Sequence, residues 1–149
     1  MSEIINEMNL NFLSRSCNES FARTAISAFV AQLDPTIDEL ADIKTAVSEA
    51  VTNCIVHGYK TAIGKIYITS KIYSNGKITI QIKDRGCGIE NVEKAMEPLF
   101  TTGGSERSGL GFAVMQSFMD KIKVTSKVGK GTTVTLQKFI IRRAVKNEI

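Results

Sequence analysis

The sequence predicts an α/β domain of the α+β kind, in which amphipathic helices accompany antiparallel strands. Two patterns carry this prediction. Apolar residues recur at helical spacing between residues 17 and 58, and from Lys65 onward the period changes to two, which is typical of half-buried strands. With 149 residues, of which 43% are hydrophobic and 23% charged, the chain can bury the core of one domain. We therefore expect a single domain over residues 1–149.

The first half of the chain predicts one strand followed by two helices. Met8, Leu10 and Phe12 alternate with polar residues, so residues 1–14 are expected to form an N-terminal strand. Capping boxes at residues 16–19 and 36–39 each open a helix, and Asp34-Pro35 ends the first one. The second helix runs until about Gly58, and its apolar stripe consists of Ile37, Leu40, Ile43, Val47, Val51 and Cys54.

The second half predicts a β-hairpin, a short helix at residues 90–97, a loop, a further helix and a closing strand. Isoleucines alternate with polar residues on both sides of the tight turn Asn75-Gly76. Asp84 falls on the isoleucine side of its strand, so its carboxylate is expected to point inward, where it needs a hydrogen-bond donor. Residues 98–108 predict a mobile loop, a helix begins at residues 109–111, and Thr132 lies on the inner face of the last strand.

Charge and composition argue against several classes of protein. The net charge is +4 and the isoelectric point is near 9.0, but the basic residues are spread among acidic ones, so no direct nucleic-acid binding is expected. The exception is the C-terminal end at residues 141–149, for which a frayed, solvated tail is preferred over a phosphate-binding strip. The apolar runs are short and Glu3 and Glu7 stand near the N-terminus, so we expect a soluble cytoplasmic protein without membrane contact.

The three cysteines do not show the spacing of a metal site. Cys17, Cys54 and Cys87 are far apart in the sequence and odd in number, which favours free thiols. No zinc site is therefore expected.

Glu49 and Asn53 lie four residues apart on the second predicted helix, so both side chains project from one face. A carboxylate that can accept a proton, beside an amide oxygen that can bind a hard cation, suits a site for a nucleotide with Mg²⁺. The spacing alone also occurs on many solvated helix faces. It gains weight only from the motifs that follow it.

Four motifs follow one another in a fixed order: Glu49-x-x-x-Asn53, Asp84-x-Gly86-x-Gly88, Gly109-x-Gly111 and Gly129-x-Gly131-Thr132. In this order they resemble the N, G1, G2 and G3 boxes of the ATPase superfamily shared by gyrase, Hsp90, histidine kinases and MutL. The resemblance implies a Bergerat-type ATP-binding fold. Such a fold is a two-layer sandwich in which a mixed, mostly antiparallel sheet is covered on one face by helices.

The resemblance also implies roles for individual residues. Asp84 would accept a hydrogen bond from the adenine amino group beside Thr132, Gly86 and Gly88, and Asn53 would hold Mg²⁺. Arg107 would reach the terminal phosphate. The remaining contacts to ATP would come from Thr101, Thr102, Ser108, Gly109, Leu110 and Gly111.

Within the superfamily, the sequence is most similar to the anti-sigma-factor serine kinases. Gyrase, Hsp90 and MutL carry further domains, and a histidine kinase needs a phosphoacceptor, whereas His57 is the only histidine and stands at a helix end. The segments at residues 18–23, 32–36, 98–102 and 106–109 resemble the sporulation members more than the stress-response anti-sigma B kinase. A free ATP-binding domain of a sensor kinase is a further alternative.

The resemblance implies an anti-sigma factor that binds sporulation sigma factor F and, with ATP and Mg²⁺, phosphorylates a serine of its anti-anti-sigma protein. Glu49 would be the base, Arg107 would stabilise the transferred group, and Arg23 would contact protein partners. Family members are homodimers through the N-terminal region, and the strand in residues 1–14 is the candidate edge. The alternative is a nucleotide-gated sigma-binding module without kinase activity.

Overall fold

In the computed structural model, which describes residues 2–97 and 111–140, helices pack on one face of a five-stranded sheet. The strands are β1 (Ile4–Leu13), β2 (Lys65–Tyr73), β3 (Lys77–Asp84), β4 (Lys121–Lys127) and β5 (Gly131–Phe139). The helices are α1 (Cys17–Val30), α2 (Ile37–Asn53), α3 (Val92–Ala95) and α4 (Phe112–Phe118). A 3₁₀ turn (Ala31–Leu33) follows α1, and a π-helical turn (Cys54–Tyr59) follows α2.

The sheet has the strand order β1-β2-β3-β5-β4, and each neighbouring pair is antiparallel. The α+β class and the layer of helices on one face are confirmed, and no parallel pair occurs among these five strands. The chain leaves β3, passes through α3 and α4, and returns as β4 and β5, with β5 inserted beside β3. Because of this insertion, the C-terminal end of β3 lies beside the N-terminal end of β5, beneath the end of α2.

The core lies between the inner face of the sheet and the helices. The alternating isoleucines of β2 and β3 are at most 1% exposed, as the period of two predicted. Ile43, Val47 and Val51 of α2 are fully buried against them. Ile37 is an exception to the predicted apolar stripe, because it occupies the first position of α2 and is 87% exposed.

One of the two predicted capping boxes forms. The Thr36 hydroxyl accepts from the Glu39 amide at 3.0 Å, and the Glu39 carboxylate accepts from the Thr36 amide at 2.8 Å. The box predicted at Ser16 is wrong, because Ser16 makes no capping bond with its side chain and Glu19 instead accepts hydrogen bonds from Arg23 and Ser48. A carboxylate that could cap its own helix thus joins α1 to α2.

The structure also revises three boundaries. The helix predicted to reach Gly58 ends at Asn53 and continues as the π-helical turn, and the short helix predicted at residues 90–97 is the single turn α3. The helix predicted to begin at residues 109–111 begins at Phe112, with Gly111 as its N-cap. The loop predicted at residues 98–108 and the tail at 141–149 lie outside the described residues.

Two further expectations concern membranes and thiols. Among the described residues, the helices are all too short or too polar to span a membrane. Cys17, Cys54 and Cys87 are free thiols.

The packing predicts a large effect of truncating the central strand. Ile80→Ala should lower the free energy of unfolding by about 2–5 kcal/mol, because β3 is flanked on both sides and the cavity cannot collapse. Urea denaturation measures this change. Gln81→Ala, on the exposed face of the same strand, is the control and should cost less than about 1 kcal/mol. Equal losses in the two variants would contradict the assignment of faces.

Candidate functional site

A pocket with a cavity volume of about 30 Å³ lies between the end of α2, the C-terminal end of β3 and the N-terminal end of β5. Its walls are mainly apolar, and its polar groups come from Asn53, His57, Asp84 and Thr132. The apolar walls are formed by Ala50, Ile82, Ile89, Phe112 and Val134. A mainly apolar lining with few polar groups is typical of a small-molecule site.

Asp84 is the carboxylate of this pocket. It is the last residue of β3, it lies opposite Thr132 of β5, and it is only 4% exposed, so the predicted inward orientation is confirmed. Its Oδ1 accepts from the Gly86 amide at 2.8 Å. Burial raises the pKa of Asp84 above its usual value, and the Gly86 amide and the neighbouring Cys54 and Thr132 groups act in the opposite direction.

The loop after Asp84 is hydrogen-bonded to the π-helical turn that follows α2. The Cys87 amide donates to the Gly58 carbonyl at 3.0 Å, and the Arg85 amide donates to the Tyr59 hydroxyl at 2.8 Å. Gly86 packs so closely on Gly58 that a Cβ would overlap the Gly58 carbonyl. The structure therefore gives Gly86 a packing reason. Gly88, with φ of +79°, lines the pocket and also packs on the Lys127 carbonyl, which a Cβ would overlap.

Glu49 and Asn53 face two different spaces. Asn53 lines the pocket, whereas Glu49 lines a second, open groove of about 310 Å³ on the outer side of α2, together with Arg23, Lys44 and Ser48. The Glu49 carboxylate also lies against Gly111, where a Cβ would overlap Oε1. Glu49 is therefore accessible from the groove and adjoins the start of α4, whose Phe112 lines the pocket.

Arg23 is held at the same groove by neighbours from both helices. Its Nη1 donates to Glu19 at 2.7 Å and to the Ser48 hydroxyl at 3.3 Å, and its side chain is 35% exposed. The guanidinium is thus fixed in place and remains accessible to a partner.

The structure places the predicted site residues in two groups. Asn53, Asp84, Gly88 and Thr132 meet at the pocket, and Glu49 and Arg23 meet at the groove. Gly86 and Gly111 line neither space. The remaining predicted residues, Thr101, Thr102, Arg107, Ser108, Gly109 and Leu110, lie outside the described residues.

Sequence reasoning missed the position of Cys54 at the pocket. Cys54 was assigned to the apolar stripe of α2, and it is indeed buried, but it also lines the pocket together with Asp84. The available signal was its place in the chain, directly after Asn53.

The donor set fits a Mg²⁺ ion that is shared with phosphates. The described residues contain no cluster of three or more His, Cys, Asp or Glu side chains able to hold a metal on its own. Mg²⁺ usually takes only one or two protein oxygens, with the remainder from phosphates and water, and Asn53 supplies such an oxygen beside the pocket.

The raised pKa of Asp84 predicts a pH-dependent stability difference. The pKa of Asp84 is higher in the folded state than in the unfolded state. Ionised Asp84 therefore lowers the free energy of unfolding at neutral pH, and this penalty vanishes below the unfolded-state pKa of about 3.9. Asp84→Asn should therefore be more stable than the wild type at neutral pH, and the difference should shrink towards pH of about 4. Urea denaturation at several pH values tests this, with the exposed Glu7→Gln as control. A stability difference between Asp84→Asn and the wild type that does not change with pH would contradict this prediction.

Comparison with known proteins agrees with this geometry. The family model of the histidine kinase-like ATPase domain matches residues 16–138. An anti-sigma F factor of Thermoanaerobacter sp. (strain X514) is 63% identical over 93% of this chain and 96% of its own length. An anti-sigma F factor of Geobacillus sp. (strain WCH70) is 55% identical over 92% of this chain and 94% of its own length.

A solved structure shows the same fold. The structure of the RsbU and RsbW domains of Rv1364c from Mycobacterium tuberculosis superposes with a TM-score of 0.67 at 19% identity, over 93% of this chain and 34% of that one. The relatives match nearly end to end, and the pocket with its inward carboxylate lies within the matched residues. The chain therefore belongs to the histidine kinase-like ATPase domain family and, within it, to the anti-sigma F factors.

Proposed function

We propose that this chain is an anti-sigma factor and a Mg-ATP-dependent serine-protein kinase. It would bind sporulation sigma factor F and phosphorylate a serine of its anti-anti-sigma protein, in the cytoplasm. The observation that carries this proposal is the arrangement around α2. Asn53 and Asp84 line an enclosed pocket, while Glu49, one turn away from Asn53, faces an open groove.

The pocket supports recognition of adenine. The ionised Asp84 carboxylate can accept a hydrogen bond from the exocyclic amino group of the base, while Ile82, Ile89 and Val134 contact its faces. Guanine presents a carbonyl oxygen at the corresponding position, which a carboxylate repels. Asp84 therefore favours ATP over GTP.

The phosphates would extend from the pocket towards Asn53 and the start of α4. Asn53 would hold the Mg²⁺ ion, which would offset the negative charge of the phosphates. Arg107 and the amides of Gly109, Leu110 and Gly111 would bind the phosphate oxygens, together with Thr101, Thr102 and Ser108.

Phosphoryl transfer would take place between the pocket and the groove. Glu49 accepts the proton of the substrate serine hydroxyl, and the serine oxygen forms a bond to the terminal phosphorus as the bond to the bridging oxygen breaks. ADP leaves, and Arg107 stabilises the charge on the transferred group. The position of Glu49 at an open groove supports a protein substrate, because a protein segment can reach it from outside.

Arg23 and Lys44 give the groove a positive rim that a protein partner can contact. Arg23 is held by Glu19 and Ser48, so little side-chain entropy is lost when it binds. We propose that both the sigma factor and the anti-anti-sigma substrate bind at this surface.

A homodimer through β1 is supported by a difference between the two edges of the sheet. The edge strand β4 carries Lys121, Lys123 and Lys127, which discourage pairing with another strand. The other edge, β1, is ten residues long and contains no lysine. It is therefore the edge that can add the strand of a second copy.

A sigma-binding module without kinase activity is the second candidate. The relatives are known as anti-sigma F factors, a name that supports anti-sigma activity and says nothing about phosphate transfer. Incubation with labelled ATP separates the two candidate functions, since a module without kinase activity would leave an anti-anti-sigma protein unlabelled.

Removal of the base should separate binding from transfer. Glu49→Gln should keep the affinity for ATP, measured by calorimetry, because Glu49 does not line the pocket. It should lower the rate of serine phosphorylation by about 10²–10⁴-fold. Asp84→Ala is the matched variant and should lose ATP binding itself. Transfer at the wild-type rate in Glu49→Gln would exclude Glu49 as the base.

Lysines on β1 should weaken the dimer. The double variant Asn9→Lys with Asn11→Lys gives β1 the charge pattern of β4, so sedimentation should show monomer at concentrations where the wild type is dimeric. Gln81→Lys places one lysine on the central strand β3 and should leave the mass measured by sedimentation unchanged. A persistent dimer in the double variant would assign the interface elsewhere.

A further inference from the structure

A row of inward polar residues crosses three strands of the sheet at the pocket. Asp84 of β3 lies opposite Thr132 of β5, and Thr132 in turn lies opposite Ser126 of β4. Asp84 and Thr132 line the pocket, whereas Ser126 does not. Because β5 lies between β3 and β4, Ser126 stands behind Thr132, on the side away from Asp84. Ser126 therefore acts on the pocket only through its neighbours.

The hydrogen bonds of Ser126 determine the direction of the Thr132 proton. The Ser126 hydroxyl accepts from the Ile89 amide at 2.7 Å, donates to the Gly131 carbonyl at 3.0 Å, and lies 2.8 Å from the Thr132 hydroxyl oxygen. A serine hydroxyl has one proton and two lone pairs. Because the Gly131 carbonyl can only accept, it takes the Ser126 proton. The Thr132 hydroxyl then has to donate to Ser126.

This arrangement fixes which atoms of Thr132 are offered to a ligand. Its proton is directed at Ser126, so only the lone pairs of Thr132 Oγ1 remain for the pocket. The ionised carboxylate of Asp84, in the neighbouring strand, is also an acceptor only. This corner of the pocket is therefore matched to a ligand group that donates hydrogen bonds.

We propose that Ser126 is a positioning residue for purine recognition, because it holds the Thr132 hydroxyl as an acceptor and so favours a 6-amino group over a 6-oxo group. The inference rests on the proposed ATP-binding function and deepens it. A 6-amino group donates, whereas a 6-oxo oxygen can only accept. Without Ser126, the Thr132 proton is free to turn into the pocket and donate either to a 6-oxo oxygen or to Asp84. Both changes reduce the advantage of the amino group.

The loop after β3 has a second attachment that does not depend on Ser126. The Ile89 amide donates to Ser126, and Ile89 lines the pocket. The Gly129 amide, in the turn between β4 and β5, also donates to the Cys87 carbonyl at 2.8 Å. We therefore expect the loop to keep its position when Ser126 is replaced, so that the main effect passes through Thr132.

A purely structural role for Ser126 would have different consequences. Ser70 of β2 offers the comparison, because it is fully buried outside the pocket and its hydroxyl donates to the Thr79 carbonyl at 2.9 Å. Loss of either serine hydroxyl lowers stability. Only the loss of Ser126 should change which base is preferred. The ratio of the affinities for a 6-amino and a 6-oxo purine is therefore the discriminating quantity.

The test measures the affinities of the full-length protein for ATP and for inosine triphosphate, which carries a 6-oxo group, by calorimetry with Mg²⁺ present. In Ser126→Ala the ratio of the two affinities should fall by about three- to tenfold. Ser70→Ala is the matched control and should keep the wild-type ratio. Ser126→Thr retains a hydroxyl and should keep the ratio, whereas Ser126→Val has nearly the same shape without the hydroxyl and should lower it.

A second substitution tests whether the effect passes through Thr132. Thr132→Val removes the hydroxyl and nearly preserves the shape of the side chain. Adding Ser126→Ala to this variant should therefore leave the affinity ratio at the value that Thr132→Val alone gives. A fall of the same size in both backgrounds would assign the effect to the loop at Ile89 and overturn the proposal.

The outcomes separate this inference from the function on which it rests. An unchanged ratio in a Ser126→Ala variant that binds ATP would overturn the positioning role alone. A wild-type protein that does not bind ATP, or an Asp84→Ala variant that binds it normally, would overturn both. If Ser126→Ala does not fold, Ser126→Thr and Ser126→Val decide the matter, since equal ratios in these two variants contradict the proposal.

Discussion

The structure depends on one buried carboxylate. Asp84 ends a strand whose other inward residues are isoleucines, and a charge in that position is costly unless donors surround it. The amide of Gly86, in the loop after β3, donates to it, Thr132 of β5 lies opposite it, and Gly58 of the turn after α2 packs against it. The site therefore forms only when these three parts of the chain have come together. Its raised pKa indicates that the donors offset the cost of burial only in part, which is typical of a group kept for function rather than stability.

The π-helical turn after α2 is the device that brings the helical layer to this carboxylate. It interrupts the helix immediately after Asn53 and carries the Gly58 and Tyr59 groups that bond the loop after β3. Gly86 must lack a side chain because its Cβ would overlap the Gly58 backbone, and a Cβ on Gly58 would stand 2.8 Å from Asp84 Oδ2. The glycines of this motif thus serve the joint between the two layers as well as the approach of a ligand.

Much of the fold could be predicted because it is encoded in periods and local caps. The alternation in β2 and β3 determined which residues are buried and placed Asp84 on the inner face, and Thr36 and Glu39 formed the predicted capping box. The prediction at Ser16 was wrong because a residue of another helix, Ser48, competes for Glu19. Two further features were missed for a related reason. The exposure of Ile37 and the end of α2 at Asn53 both depend on where the helix lies over the sheet.

By itself, the sequence determined the class of fold, the inner and outer faces of its strands, and the order of the four motifs, because these follow from spacing along the chain. Only the tertiary structure decided that Asn53 and Glu49 face different spaces, that Gly86 packs on Gly58, and that Gly58 packs against Asp84. The physical reason is that these contacts join residues distant in sequence. Their geometry is set by how the helical layer is seated on the sheet, which no local pattern encodes.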